Sequence, residues 1–158
     1  MKTLLAAVAF AIPAFAHAAV VDMPFFDASG VEYSTGKYRE QIQKRFPGTH
    51  PLLFLIVTRD AHDPEFKKQM ATLKHLDAET LQLIFVVGTP SPPNKSGYWL
   101  EPENVDALLE GGSRFEFIAI GDNAEVCFSS QKAVTREQIV ASNNALQPTF
   151  SRCARKRG

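Results

Sequence analysis

The chain of 158 residues has only two cysteines, Cys127 and Cys153, and no Cys-x-x-Cys spacing anywhere. That excludes the paired-thiol centre used for disulfide exchange, whose reactivity depends on one thiol lowering the pKa of a close neighbour. No apolar run reaches the roughly 20 residues needed to cross a hydrocarbon core of about 30 Å, so a membrane-spanning helix is not expected. Charge of one sign is also missing: 17 basic side chains balance 17 acidic ones, leaving no overall field to steer the protein towards nucleic acid or an anionic membrane. There is no glycine-rich phosphate loop, no serine elbow and no pair of carboxylates in an apolar setting, and no internal repeat. Enzymatic activity is therefore unsupported by any motif, and no cofactor is implied.

What is present begins with a leader. Lys2 precedes an apolar run from Leu4 to Phe15, and Ala16-His17-Ala18 supplies a small-x-small ending. These are the parts of a signal peptide, with cleavage expected after Ala18 and a periplasmic or secreted product. The remainder divides into an N-terminal segment (19–36), one domain of ordinary size (37–147) and a basic tail (148–158) carrying Arg152, Arg155, Lys156 and Arg157. Such a tail reads as a solvated terminus.

Both cysteines lie in the exported portion, where the compartment is oxidising. An even pair there reads as a structural disulfide, which would stabilise the fold by about 3 kcal/mol in the chain-entropy model. The alternative is a thiol oxidoreductase or peroxidase with Cys127 attacking and Cys153 resolving. That reading requires an electropositive, exposed thiol, and the alternation around Val126-Cys127-Phe128 gives no sign of one.

Tyr38, Ile42 and Phe46 recur at helical spacing until Pro47-Gly48 stops them. Leu52 to Thr58 is apolar on both faces and predicts a central strand covered on each side. Asp63-Pro64-Glu65 then provides an N-cap, a first-position proline and an acid in the first turn of a helix whose inner stripe is Phe66, Met70 and Leu73. Leu81 to Val87 reads as a second buried strand, parallel to the first because a helix connects them. Thr89 to Trp99 contains three prolines and no periodicity, and reads as a long loop. Pro102 opens a short helix with Val105, Leu108 and Leu109 inside, ended by Gly111-Gly112. Phe115–Ile120 and Glu125–Ser129 predict an antiparallel hairpin. Thr135-Arg136-Glu137-Gln138 is a capping box opening a last helix, with Ile139, Val140 and Leu146 facing inward.

The segments Pro51-Leu52-Leu53-Phe54-Leu55-Ile56-Val57, Asp63-Pro64-Glu65-Phe66-Lys67-Lys68-Gln69 and Arg114-Phe115-Glu116-Phe117-Ile118-Ala119-Ile120-Gly121-Asp122-Asn123-Ala124-Glu125-Val126 resemble an uncharacterised family of exported bacterial proteins, domain of unknown function 4174, regarded as thioredoxin-like. The resemblance runs from about Tyr38 to Ser142. It implies an α/β thioredoxin-like fold: a central mixed sheet of about four strands, with a parallel pair and a C-terminal antiparallel hairpin, flanked by helices. It implies no catalytic residues. The redox pair of a thioredoxin would sit where Thr58-Arg59-Asp60-Ala61-His62-Asp63 stands, and its cis-proline where Gly112-Ser113-Arg114 stands.

Loops after parallel strands gather at one sheet edge, so Arg59, Asp60 and His62 are expected near Tyr98, Trp99 and Arg114. The aromatic pair suits a contact surface, and the two arginines suit a carboxylate or phosphate. The leading reading is a redox-inactive, thioredoxin-like binding or accessory module whose partner is a protein or a small anionic ligand. A weaker alternative places a metal on Asp60 and His62, although two ligands do not make a site. Asp60 and Asp63 capping the helix while His62 faces solvent is the simpler expectation.

Overall fold

The computed structural model describes residues 22–49, 51–90, 97–121 and 125–141. Its centre is β3 (Leu52–Thr58), every residue of which is buried. Alternation along an extended strand splits this run between two cores. Leu53, Leu55 and Val57 face one cluster with Tyr38 and Ile42 from α1 (Tyr38–Arg45) and Val105 and Leu108 from α3 (Val105–Leu108). Leu52, Phe54 and Ile56 face the other, with Phe66 from α2 (Pro64–Leu73) and Ile139 from α4 (Arg136–Ala141). Fully burying each such side chain contributes about 1.5–3 kcal/mol, which makes this one strand the main apolar anchor of both layers.

β3 lies parallel to β4 (Leu83–Gly88) and antiparallel to β6 (Phe115–Ile120), which pairs in turn with β7 (Val126–Ser130) across an irregularity at Ala119/Ile120. Among the described residues the sheet has seven strands rather than about four, in the order β2-β1-β5-β4-β3-β6-β7. The additional strands are β1 (Pro24–Phe26), β2 (Glu32–Ser34) and β5 (Tyr98–Leu100), each of three residues. β1 and β2 form a hairpin that pairs with β5, and β5 runs parallel to β4. The segment 19–36 thus contributes two strands and the core residues Phe25 and Tyr33.

Local signals account for the boundaries. Asp63 Oδ1 accepts hydrogen bonds from the Glu65 and Phe66 amides at 2.9 and 3.1 Å, and Pro64 occupies the first turn of α2. The capping box of α4 closes reciprocally, with the Thr135 amide on Gln138 Oε1 at 2.9 Å and the Gln138 amide on Thr135 Oγ1 at 3.2 Å. Ile139 is buried as expected, but Val140 is 37 % exposed, because adjacent positions on a helix turn to different sides. Leu146 and the tail, including Cys153, lie outside the described residues. A short 3-10 turn at Pro102–Asn104 leads into α3, and Gly111 and Gly112 hold φ of 63° and 80° where the chain reverses towards β6. Among the described residues no helix is long and apolar enough to cross a membrane.

Candidate functional site

β3 ends in side chains that bond back to the backbone. The Thr58 hydroxyl accepts from the Asp60 amide at 3.0 Å and lies 2.9 Å from the Arg114 carbonyl oxygen. The Arg59 amide donates to that same carbonyl at 3.0 Å, fastening the exit of β3 to the start of β6. The Arg59 guanidinium donates through Nε to Asp106 Oδ1 at 2.8 Å, through Nη2 to the Leu109 carbonyl at 2.9 Å and through Nη1 to the Ser113 carbonyl at 3.1 Å. Arg59 thereby closes off the end of α3, engaging one donor on each of its three nitrogens; a bidentate ligand would have to compete with these bonds. Asp60 Oδ1 accepts from the His62 amide at 2.8 Å. Asp63 is the helix cap. His62 and Arg114 are exposed.

Asp60, His62, Arg59 and Arg114 are therefore brought to one edge, as the topology requires. Tyr98 and Trp99 do not form a joint surface with them or with each other. In the parallel register Tyr98 lies beside Val86 and Trp99 beside Val87, so consecutive side chains project from opposite faces of the sheet. Tyr98 packs edge-on against Phe25 and Tyr33, both with centroids 5.9 Å away. Trp99 stacks on Phe26 at 4.7 Å. The loop reading of this segment gave them a shared direction that a strand forbids. Among the described residues no group of three or more histidine, cysteine, aspartate or glutamate side chains could hold a metal. Cys127, half-buried on β7 against the α2/α4 core, is disulfide-bonded.

A second concave feature carries no sequence motif. At the opposite edge, where β3 and β4 begin, a cleft of about 380 Å³ is lined by Ile42, Phe46, Pro51, Leu83, Ile84 and Tyr98, with Thr49, Ala78, Glu79 and Gln82 completing its wall. Burial raises the Tyr98 phenol above its ordinary value, with smaller upward contributions from Tyr33 and Asp27. Beside it, Asp27 Oδ2 takes Arg45 Nη1 at 2.8 Å, and Arg45 also donates to the Tyr33 hydroxyl at 2.9 Å. Sequence reading missed the cleft because its residues come from three stretches distant in sequence, and it set Phe46 on the apolar stripe of α1 with Tyr38 and Ile42, whereas the ring is 47 % exposed just past the helix end.

The arrangement of strands and helices can be set against solved structures. The fold is thioredoxin-like. A thio-disulfide isomerase from Thermus thermophilus superposes with a TM-score of 0.53 over 77 % of this chain and 89 % of its own, at 12 % identity. MTB DsbF, solved in mixed oxidised and reduced forms, gives 0.52 over 82 % and 98 % at 10 % identity. No family model and no curated protein matches the chain. At these identities the likeness extends to the fold alone.

Proposed function

We propose that this protein is an exported, redox-inactive module of thioredoxin fold that acts by binding, a reading in keeping with its resemblance to the domain of unknown function 4174 family, which implies no catalytic residues. The observation that carries this reading is the junction from β3 to α2. Where a disulfide-exchange protein of this fold would hold two thiols, Arg59, Asp60 and Asp63 are occupied by bonds to backbone and to Asp106, and no sulfur is present. The leader supports a periplasmic or secreted location. Cys127 bridged to Cys153 would tie the basic tail to β7, and a bonded Cys127 favours this structural role over a resting nucleophile. Its partner is a protein or small anionic ligand meeting Arg114 and His62 at the carboxyl edge, both exposed, beside Arg59 and Asp60, which are exposed too but already bonded within that edge.

Two measurements on the mature chain test the proposal. Added to an insulin-reduction assay with dithiothreitol, it is expected to leave the rate at the uncatalysed level, and native protein is expected to show no thiol reacting with Ellman's reagent. Catalysed turnover or a rapidly reacting native thiol would instead establish the oxidoreductase reading. For the binding face, Arg114→Glu is expected to lose any partner that the wild-type chain retains from a periplasmic extract; unchanged retention would remove that face from consideration.

A further inference from the structure

We propose that the cleft at the amino-terminal edge of β3 and β4 binds a small apolar molecule ending in a hydrogen-bond-donating nitrogen, an aryl or alkyl amine. This goes beyond the binding face just described: the seven residues of β3 put the two edges about 20 Å apart at roughly 3.3 Å per residue.

The size and lining set the class of ligand. A volume of about 380 Å³ falls within the roughly 300–1,000 Å³ typical of small-molecule sites, which are apolar with a few placed polar groups. Ile42, Pro51, Leu83 and Ile84 supply the apolar floor, and Phe46, 47 % exposed despite its size, forms a lip. An aromatic ring left this open on a folded chain gains by closing over an apolar guest.

The polar groups set its end. Two of those lining the cleft, the Tyr98 hydroxyl and the Glu79 carboxylate, take part in no hydrogen bond among the described residues. Among the described residues of the lining Glu79 is the one charged side chain, exposed at the rim, and the nearby Arg45 is already held by Asp27 and Tyr33. An anionic head would therefore meet a carboxylate with no cation among the described lining residues, whereas an N–H donor or ammonium finds an acceptor. The Tyr98 phenol is protonated at neutral pH, as phenols ordinarily are, and can donate or accept.

The wall is also preformed. Gln82 holds φ at 51°, a left-handed conformation that costs a non-glycine residue energy, and two backbone bonds keep it there. Its amide donates to the Glu79 carbonyl and its carbonyl accepts from the Leu52 amide, both at 3.0 Å. A wall fixed before binding lowers the ordering cost of association.

The test uses N-phenyl-1-naphthylamine, a neutral aromatic amine that brightens on leaving water, and its sulfonated relative 1-anilinonaphthalene-8-sulfonate. The mature wild-type chain is expected to bind the amine saturably at one site and the sulfonate at least about tenfold more weakly, the equivalent of one unfavourable charge contact. Tyr98→Phe is expected to weaken the amine about fivefold, the loss of one hydrogen bond. Glu79→Lys should reverse the preference between the two probes. Thr49→Trp, which fills the cleft, should abolish binding, and Phe46→Ala at the exposed lip gives the same direction should the larger residue disturb folding. Absence of a saturable signal, equal affinity for both probes, or unchanged binding in folded Phe46→Ala and Glu79→Lys would overturn the proposal.

Discussion

Gln69 joins the two halves of the α2/α4 layer, and its replacement by leucine gives a measurable cost. The side chain is fully buried; Nε2 donates to the Val134 carbonyl at 3.2 Å and Oε1 accepts from the Val134 amide at 2.7 Å. The amide group thus bonds one backbone unit at both ends, as a neighbouring strand would, and fixes the segment that enters α4. Leucine fills a similar volume but leaves a buried donor and a buried acceptor without partners. Each unsatisfied group costs about 1–3 kcal/mol, partly offset by the apolar gain of leucine, so a net loss of about 2–4 kcal/mol is expected. In urea denaturation followed by the single tryptophan, and with a slope of about 1–2 kcal/mol/M, the midpoint should fall by roughly 2 M with the slope unchanged. Gln69→Glu sharpens the test. An ionised carboxylate keeps the acceptor but opposes the Val134 carbonyl, while its protonated form restores a donor. Burial raises the folded-state pKa of such a group, so its contribution to stability is present below the unfolded value and is lost as pH rises through the folded one. Gln69→Glu should accordingly lie closer to wild type at pH 4 than at pH 8. A loss under about 0.5 kcal/mol in Gln69→Leu, or the opposite pH order in Gln69→Glu, would refute the clamp.

Asp63→Ala removes the cap on the Glu65 and Phe66 amides and should cost about 1 kcal/mol by the same denaturation measurement. Arg59→Ala should cost about 1 kcal/mol, chiefly through the lost bonds to the Leu109 and Ser113 carbonyls, since exposed ion pairs such as Arg59–Asp106 contribute little. Arg59→Lys should recover less than half of it, because an ammonium cannot span three acceptors as the planar fork does. Stability should fall at both ends of the pH range. For Asp27, burial pushes the carboxyl up, but the Val31 and Ser29 amides, Arg45 and the Tyr33 hydroxyl outweigh it and hold it below 3.8; that stabilisation is present above the ordinary value and lost as pH falls through the folded one. For Tyr33 and Tyr98, burial raises the phenols above 10.0, so their contribution is complete below pH 10 and lost as pH rises through the folded values. Thermal midpoints across pH should show the acid limb flatten in Asp27→Asn; an unchanged limb would exclude this carboxylate as its source.

The elements legible in the sequence are those whose signal is local and repeated. Leu52–Thr58 declares itself by six consecutive apolar residues before Thr58, and the residue pairs Asp63/Pro64 and Thr135/Gln138 mark helix starts by chemistry that works over three or four residues. β1, β2 and β5 are invisible for the converse reason: three residues cannot establish a period, and the β1/β2 hairpin joins the sheet only through a partner distant in sequence, Phe25 pairing with Leu100 of β5. The same limit explains the site. Spacing placed Arg59, Asp60, His62 and Arg114 at one edge because each flanks a strand that could be read, whereas Tyr98 and Trp99 were misdirected with β5. Gly88 is a smaller instance: a Cβ there would lie 3.0 Å from Leu100 Cδ1, a close approach between β4 and β5 that the glycine permits and that only the tertiary pairing reveals.

The two edges of the sheet differ in how their polar groups are satisfied, and that difference bears on function more directly than the fold does, since a fold of this kind hosts many activities. At the carboxyl edge, Thr58, Arg59, Asp60 and Asp63 all bond to backbone within the same edge or to Asp106. These side chains serve to connect β3 to β6, α2 and α3. At the amino edge the situation is reversed: an apolar concavity carries a phenol and a carboxylate that the described residues leave without hydrogen bonds, beside a backbone held in an unfavourable conformation. Structural demand explains the first arrangement completely. It does not explain the second, because filling the cleft with a larger side chain from α1 would bury Phe46 and gain apolar contact at little cost. The amino edge is therefore a second place, besides the exposed Arg114 and His62 of the carboxyl edge, where selection for something other than stability can be sought.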